Sequence, residues 1–423
     1  MCTNSATRIG SDDFHIFLLA IALQQWDMTK PPAFEISDEK ELLLACLRAP
    51  SPADSDARIG ELLRQAIDWG VVIEDAGNHA VTPIVYSRLA GFRDAIPAGP
   101  FEELAKAYRA NSARNIFLAA ELARILDGFA AAQIEAVPYK GPAIAVQAYR
   151  DLTLREFEDL DIVVAQGSIA AAHAAMRELG FTPRFPWLHE TAASRSFVPG
   201  EYAYEDAACR VFVEIHTERT LRHFPFPPDL SEFFTRCVPV TVGGSELRTF
   251  APEDQFIFLA VHGAKDFWER LVWIADIAAL LRAVPDLDWH TAVYRAESAG
   301  VGRMLRVGLA LAVSLLHAPL PPEILQSIRA DYRAREIAEQ LERRILAPAL
   351  PALGAGARIR LRYRMVSGPA SAARYALRLA FVRSEVDYDS ARLPRALRVF
   401  GGVLRPFRAM RKYASDETPP PES

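Results

Sequence analysis

The run FEDLDIVV, Phe157 to Val164, places Asp159 and Asp161 one residue apart, directly after Glu156 and Glu158. In a β-strand, residues i and i+2 point to the same face, about 6.5–7 Å apart. Asp159 and Asp161 therefore converge on one side, while Leu160, Ile162 and Val164 are free to face a core. Two ionised carboxylates this close repel, and one is pushed towards its neutral form unless a cation sits between them. Hard divalent cations with oxygen ligands answer that need, and Mg²⁺ favours a few carboxylates together with substrate phosphates. Phosphoryl transfer uses this arrangement, with two metal ions about 3.5–4 Å apart clamping the attacking and leaving oxygens. Such a site needs a third carboxylate from a neighbouring strand. In VFVEIH, Glu214 alternates out of an otherwise apolar strand, and His216 shares its face. Phosphates also need a binder. Lys140-Gly141 stands between a short strand and a helix start, where glycine admits close backbone approach, helix N–H groups are free and lysine adds charge. Arg155, just upstream of the aspartates, offers a second cation.

These residues need a small sheet to hold them. Gln133 to Gly141, QIEAVPYKG, predicts a strand over 134–139, and PAIAVQAY after it predicts a helix opened by Pro142. DLDIVV is a strand, and SIAAAHAAMRELGF a helix ending at Gly180. Residues 184–203 read as irregular, rich in aromatics and prolines. CRVFVEIHTER alternates clearly, and VPVTVGGSELRTF reads as a hairpin turning at Gly243-Gly244. Before this unit the pattern is helical, ending in a long amphipathic stretch from Pro100 to Ala132. After Pro252 the helical period returns, with two helices in PEDQFIFLAVHGAKDFWERLVWIADIAALLRAV and two more in DWHTAVYRAESAG and VGRMLRVGLALAVSLLHA. The expected class is α+β: a helical region over 1–125, a mixed α/β core over 126–250, a helical domain over 251–347, then a linker, a basic helical tail and a disordered end over 348–423. The arginines at 358, 360, 362 and 364 alternate, which suits a basic strand face, or they spread around a helix. They suit nucleic acid or anionic lipid, and equally they suit pairing with acids of the same chain.

Composition narrows the classes. The chain has 423 residues, 51% hydrophobic and 24% charged, with a formal net charge of −5. An acidic balance does not suggest a nucleic-acid binder. The four cysteines are scattered with no CxxC pair, so neither a zinc ribbon nor a disulfide framework is indicated, and a reducing cytoplasm is expected. IFLLAIAL near the N-terminus is too short to span a bilayer.

Taken in order, strand, Lys140-Gly141, helix, Tyr149, Arg155, Asp159-Leu160-Asp161, Leu179-Gly180-Phe181 and Glu214-Ile215-His216 resemble the polymerase-β-like nucleotidyltransferase superfamily. The nearer resemblance is to its uncharacterised bacterial family. His262, Lys265, Trp273 and Asp276 fall at matching places in that family's helical region, and Asp266 stands where a second histidine is often found. The superfamily's glycine motif is usually hydrophobic-Gly-Gly or hydrophobic-Gly-Ser. Here that place reads Tyr139-Lys140-Gly141-Pro142, so Lys140 stands in for the usual serine contact. Val242-Gly243-Gly244-Ser245 also fits the pattern, but no Asp-x-Asp follows it. The resemblance implies Mg²⁺-dependent transfer of a nucleoside monophosphate from a nucleoside triphosphate (NTP) to an unknown hydroxyl acceptor on a small molecule or protein. It implies that Asp159 and Asp161 bind two Mg²⁺ ions and the triphosphate. Glu214 would complete the metal site and take up a proton, and Lys140, Gly141, Arg155 and His216 would contact the nucleotide. The alternative is a non-catalytic nucleotide-binding or adaptor protein that keeps the fold.

Plainer readings stand beside these. The aspartates fit a solvated edge strand, Glu214 a wet strand face, Lys140-Gly141 a strand-ending turn, and Arg155 an ion pair. His262, Lys265 and Asp276, read as one helix face, fit a buried polar network.

Overall fold

The computed structural model describes residues 36–48, 54–184, 202–218, 221, 223–226, 228–347 and 353–381. IFLLAIAL, most of the irregular segment after Arg184, and the acidic end ASDETPPPES lie outside these residues. Four short helices come first: α1 (Asp38–Leu47), α2 (Asp54–Leu62), α3 (Trp69–Asn78) and α4 (Thr82–Leu89). The long α5 (Ala98–Ala131) follows and carries the chain through position 125 without a break. The sheet unit comprises β1 (Ala136–Pro138), α6 (Pro142–Tyr149), β2 (Asp159–Val164), α7 (Ile169–Glu178), β3 (Phe181–Pro183), β4 (Tyr202–Asp206) and β5 (Phe212–His216). Next come α8 (Leu230–Thr235) and the hairpin β6 (Val238–Val242) and β7 (Ser245–Thr249). The helical remainder is α9 (Pro252–Lys265), α10 (Leu271–Ala283), α11 (Trp289–Ser298), α12 (Gly302–Leu316), α13 (Pro322–Ala330), α14 (Tyr332–Ile345), α15 (Ala355–Arg364) and α16 (Pro369–Phe381).

The main sheet runs in the order β1-β2-β5-β4-β3. β2 and β5 are parallel, and the other pairs are antiparallel. Alternation along β2 and β5 sorts their residues between two environments. Leu160, Ile162 and Val164, with Val213 and Ile215, pack on Leu122, Ile125 and Phe129 of α5 and Met176 of α7. Val163, on the opposite face, joins the larger core built by α9, α10 and α12. Every side chain that could do chemistry on these strands therefore faces the helical half of the molecule. The expected α+β class and the Gly243-Gly244 hairpin are as found.

Several expectations need correction. β1 is shorter than 134–139, because Tyr139 onward bends into the loop that carries Lys140. β3 and β4 were not anticipated; β3 spans three residues, too few to show alternation. α13 and α14 extend the helical region beyond the four helices read there. The arginine run at 358–364 is helical, as expected for the basic helical tail and as one of the two readings of its spacing. Asp276 does not continue the face of His262 and Lys265, because α9 ends at Lys265 and Asp276 belongs to the separate α10.

That helix break gives Asp276 another partner. Its carboxylate is fully buried and accepts from Arg155 Nε at 3.0 and 3.1 Å and from Nη2 at 2.9 Å. Tyr149 Oη, at the end of α6, donates to Asp276 Oδ1 at 2.9 Å. This bidentate, charge-assisted contact ties the segment before β2 to α10. On the other side, Asn115 of α5 donates to the carbonyls of Leu152 and Arg155 at 2.7 and 2.8 Å. The aspartate-bearing strand is thus entered through a loop pinned from both sides. Removing one partner of a buried pair leaves the other charge uncompensated, at about 3–5 kcal/mol. Asp276→Ala is expected to lose stability of that order in denaturant unfolding, with Asp276→Asn losing less; a loss below about 1 kcal/mol would mean the clamp does not hold the fold together.

Candidate active site

Parallel pairing sets Asp161 opposite Glu214 and Val163 opposite His216. Register partners on adjacent strands point to the same face, so the acid of β5 stands beside the pair of β2. Asp161 is 2% exposed, and Glu214 is at the open side with its side chain 30% exposed. His216 Nε2 lies 2.9 Å from Asp161 Oδ1 and 3.4 Å from Glu214 Oε2. One ligand atom from each of Asp161, Glu214 and His216 can be chosen so that all lie within 4.8 Å of one another. Two oxygens bound to a single Mg²⁺ at about 2.1 Å are at most about 4.2 Å apart, so these residues fit an ion after a small inward movement. The imidazole nitrogen makes the set softer than an all-oxygen Mg²⁺ site. His216 also fits a supporting role, fixing the carboxylates by hydrogen bonds.

Lys140 and Gly141 arrive from the β1–α6 loop. Gly141 has φ +52° and ψ −124°, a conformation that side-chain-bearing residues avoid, and a Cβ there would sit 3.2 Å from the Asp159 carbonyl. This close approach brings Lys140 Nζ to 2.7 Å from Asp161 Oδ1. The loop is braced by two side chains: Thr249 Oγ1 donates to the Pro138 carbonyl and Gln255 Nε2 to that of Tyr139; Gln147 Nε2, donating to the Phe250 carbonyl, ties α6 to the segment after β7. These contacts are not legible in the sequence, because their partners are more than 100 residues away in chain order.

The aspartates open onto a cleft of about 840 Å³. Lys140, Gly141, Arg155, Asp159 and Asp161 line one side of it. His262, Lys265 and Asp266 from the end of α9, Glu269 and Arg270 from the loop before α10, Trp273, and Arg358 of α15 line the other. Among the described residues, neither Lys265 nor Arg270 has a carboxylate oxygen within 4 Å. The sheet acids therefore face a helical wall that, beside Asp266 and Glu269, carries cations available to a ligand. Arg155 reaches the cleft, but its guanidinium is held by Asp276. The earlier signal for Lys265 and Trp273 was their place in the pattern, and for Arg358 its place in the basic run; Arg270 had none.

The electrostatics of the acids are uneven. Burial pushes the Asp159 carboxyl up, repulsion from Asp161 adds to this, and its pKa reaches about 7. Burial would also raise Asp161, but the charge of Lys140 and the hydrogen bond from His216 overcome it and hold Asp161 well below the usual range. Lys140 is held firmly charged by Asp161 despite its own burial. His262 is pushed well below its ordinary value, first by burial and then by the charge of Lys140, so it is neutral near pH 7.

Residues 65–317, more than half of the chain, match the sequence model of a family described as "Uncharacterised nucleotidyltransferase". Among solved structures, an antigenic nucleotidyltransferase-like protein from Paracoccidioides brasiliensis aligns at 15% identity and a TM-score of 0.32, covering 51% of this chain and 92% of that chain. No curated protein matches. Among the described residues, no helix is long and apolar enough to cross a membrane.

The raised Asp159 has a consequence for stability. Its ordinary value is 3.8, so folding takes up a proton at this carboxyl between about pH 4 and 7. The metal-free protein loses that contribution as the pH rises through the window, while the depressed Asp161 works in the opposite direction, its contribution being lost only in acid. Asp159→Asn cannot ionise. It is expected to be more stable than the wild type by about 2 kcal/mol at pH 8, a gap that closes towards pH 4. Thermal melts across that range check it, and a gap independent of pH would contradict the burial of this charge.

Proposed function

The chain belongs to this uncharacterised nucleotidyltransferase family, and from that premise we propose that it transfers a nucleoside monophosphate from an NTP to a hydroxyl acceptor, with Mg²⁺ held by Asp159, Asp161 and Glu214. One observation carries this reading: Asp159, Asp161 and Glu214 share one face of the sheet, and the two aspartates line a cleft whose far wall carries Lys265 and Arg270, neither with a carboxylate oxygen within 4 Å among the described residues. That polarity suits a metal-bound polyphosphate lying between the walls. When bound, divalent cations would neutralise the phosphate oxygens and lower the charge barrier to attack.

The chain's own residues supply the rest. The acceptor oxygen attacks the α-phosphorus, the bond from that phosphorus to the bridging oxygen of the β-phosphate breaks, and pyrophosphate leaves. Glu214, the most exposed of the three acids, is placed to accept the hydroxyl proton at a carboxylate oxygen. His216 touches both Asp161 and Glu214 and fixes their orientation. Lys140 is paired with Asp161 in the metal-free protein, and its flexible stem allows its charge to turn to a phosphate once the carboxylates are neutralised otherwise. Gly141 lets the loop backbone come close to the same phosphates. Arg155, held by Asp276, contributes positive potential at the cleft wall and positions β2. The proposed division of labour assigns nucleotide chemistry to the segment around 126–250 and the cationic wall to the helices after 251. A reducing cytoplasmic setting remains part of this reading.

A second reading has one observation in its favour. The Lys140–Asp161 pair places a cation of the protein itself on the proposed metal ligand, and Lys140 replaces the small residue of the usual glycine motif. A non-catalytic nucleotide-binding protein would tolerate that. Incubation with each α-³²P-labelled NTP and a cell extract separates the two. Mg²⁺-dependent labelling of an acceptor with release of pyrophosphate is expected, and the Asp159→Asn/Asp161→Asn variant is expected to lose at least about 1,000-fold in rate, the size of a lost charge-stabilising centre. Nucleotide binding without pyrophosphate release would support the non-catalytic reading.

A further inference from the structure

The family match ends at residue 317, yet the cleft is not complete there. The loop Asp266–Arg270 that rims it holds two successive non-glycine residues at positive φ, Phe267 at +56° and Trp268 at +46°. Residues held in that region are strained and persist only where the surroundings over-determine them. Trp268 is fully buried, and a Cβ at Gly263 would collide with its indole. With the indole fixed, Phe267 presents its ring to α15. The guanidinium groups of Arg358 and Arg362 lie 5.7 and 5.3 Å from that ring's centre. Arg362 also donates to the Lys265 carbonyl at 3.0 Å, and Leu361 and Met365 are buried beneath the helix. The arginine-rich segment is thus docked on the strained loop by cation–π contact, a main-chain hydrogen bond and apolar burial.

One arginine of the helix is left facing the cleft. Arg358 lines it and is 46% exposed. Its nearest acid, Glu269 at 3.7 Å, is already held more closely by Arg344 at 3.0 Å. Arg360, two residues on, lies on the opposite side of the helix and is exposed. Resting on the nucleotide reading of the site, we infer that α15 is a wall of the active cleft and that Arg358 binds the β- and γ-phosphates of the donor. Arg358 then joins Lys265 and Arg270 as a third cation facing the sheet acids. A guanidinium in this place matches phosphate oxygens through its fork of N–H donors. The basic tail on this view is neither a nucleic-acid arm nor a lipid anchor.

The test measures dissociation constants by calorimetry on the full chain with Mg²⁺. The α,β-imido analogues of ATP, GTP, CTP and UTP are used in turn, then the corresponding monophosphates. For the analogue that binds, Arg358→Ala is expected to weaken binding about tenfold, with monophosphate binding changed less than about twofold, since Arg362, Leu361 and Met365 keep α15 docked. Arg358→Lys is expected to recover part of the loss, and Arg360→Ala to bind as the wild type. Equal affinity of Arg358→Ala and wild type would overturn the inference while leaving the site reading intact. A loss equal for tri- and monophosphate, or matched by Arg360→Ala, would assign Arg358 a structural or diffuse electrostatic part and overturn it too. Failure of the wild type to bind any of the analogues would remove the site reading, and this inference with it.

Discussion

Asp161 is nearly sealed from water, with Asp159 on its own strand and Glu214 across the pair, so its charge must be matched by something close. At the separation of alternate strand residues, about 7 Å, two carboxylates repel by about 2 kcal/mol at the effective dielectric near a protein surface. In this structure Lys140 and His216 do the matching. The loop that delivers Lys140 needs a glycine at 141, braces from Thr249 and Gln255, and a β2 strand fixed by Asn115 and Asp276. Much of the fold between α5 and α10 can be read as the support for one compensated cluster of negative charge.

The same constraint explains why the cleft has two unlike walls. Apolar alternation commits one face of the sheet to α5 and α7, so the acids have only the other face, which looks at the helical half. The helices there end beside the acids, and their loop carries cations that the sheet side does not neutralise. A ligand with concentrated negative charge and bound metal satisfies both walls together. A neutral ligand would leave Lys265 and Arg270 without partners.

The sheet end of the site was readable in the sequence because strand alternation is local. FEDLDIVV and VFVEIH each show which residues share a face, and equal phase on both strands predicts the convergence that the β2–β5 register gives. What could not be read depends on distance along the chain. Arg155 stood open between a nucleotide contact and an ion pair because its partner Asp276 lies 121 residues away, on a helix whose start after Lys265 is set by the positive-φ residues Phe267 and Trp268. The arginines at 358–364 fit a strand or a helix equally well by spacing, and only the docking of Leu361 and Met365 decides between them. β4 was hidden because its YAYED pattern follows a proline- and aromatic-rich stretch and gains its order from pairing with β5.

The most direct measurement is a crystal structure of the protein soaked with Mn²⁺ and a non-hydrolysable NTP analogue, with anomalous data to locate the metal. A metal-bound triphosphate at the acids predicts anomalous density between the Asp161 and Glu214 carboxylates, Lys140 Nζ displaced from its 2.7 Å contact with Asp161 onto a phosphate oxygen, and His216 still in place. Retention of the Lys140–Asp161 pair, with nucleotide bound and no metal at the acids, would contradict it.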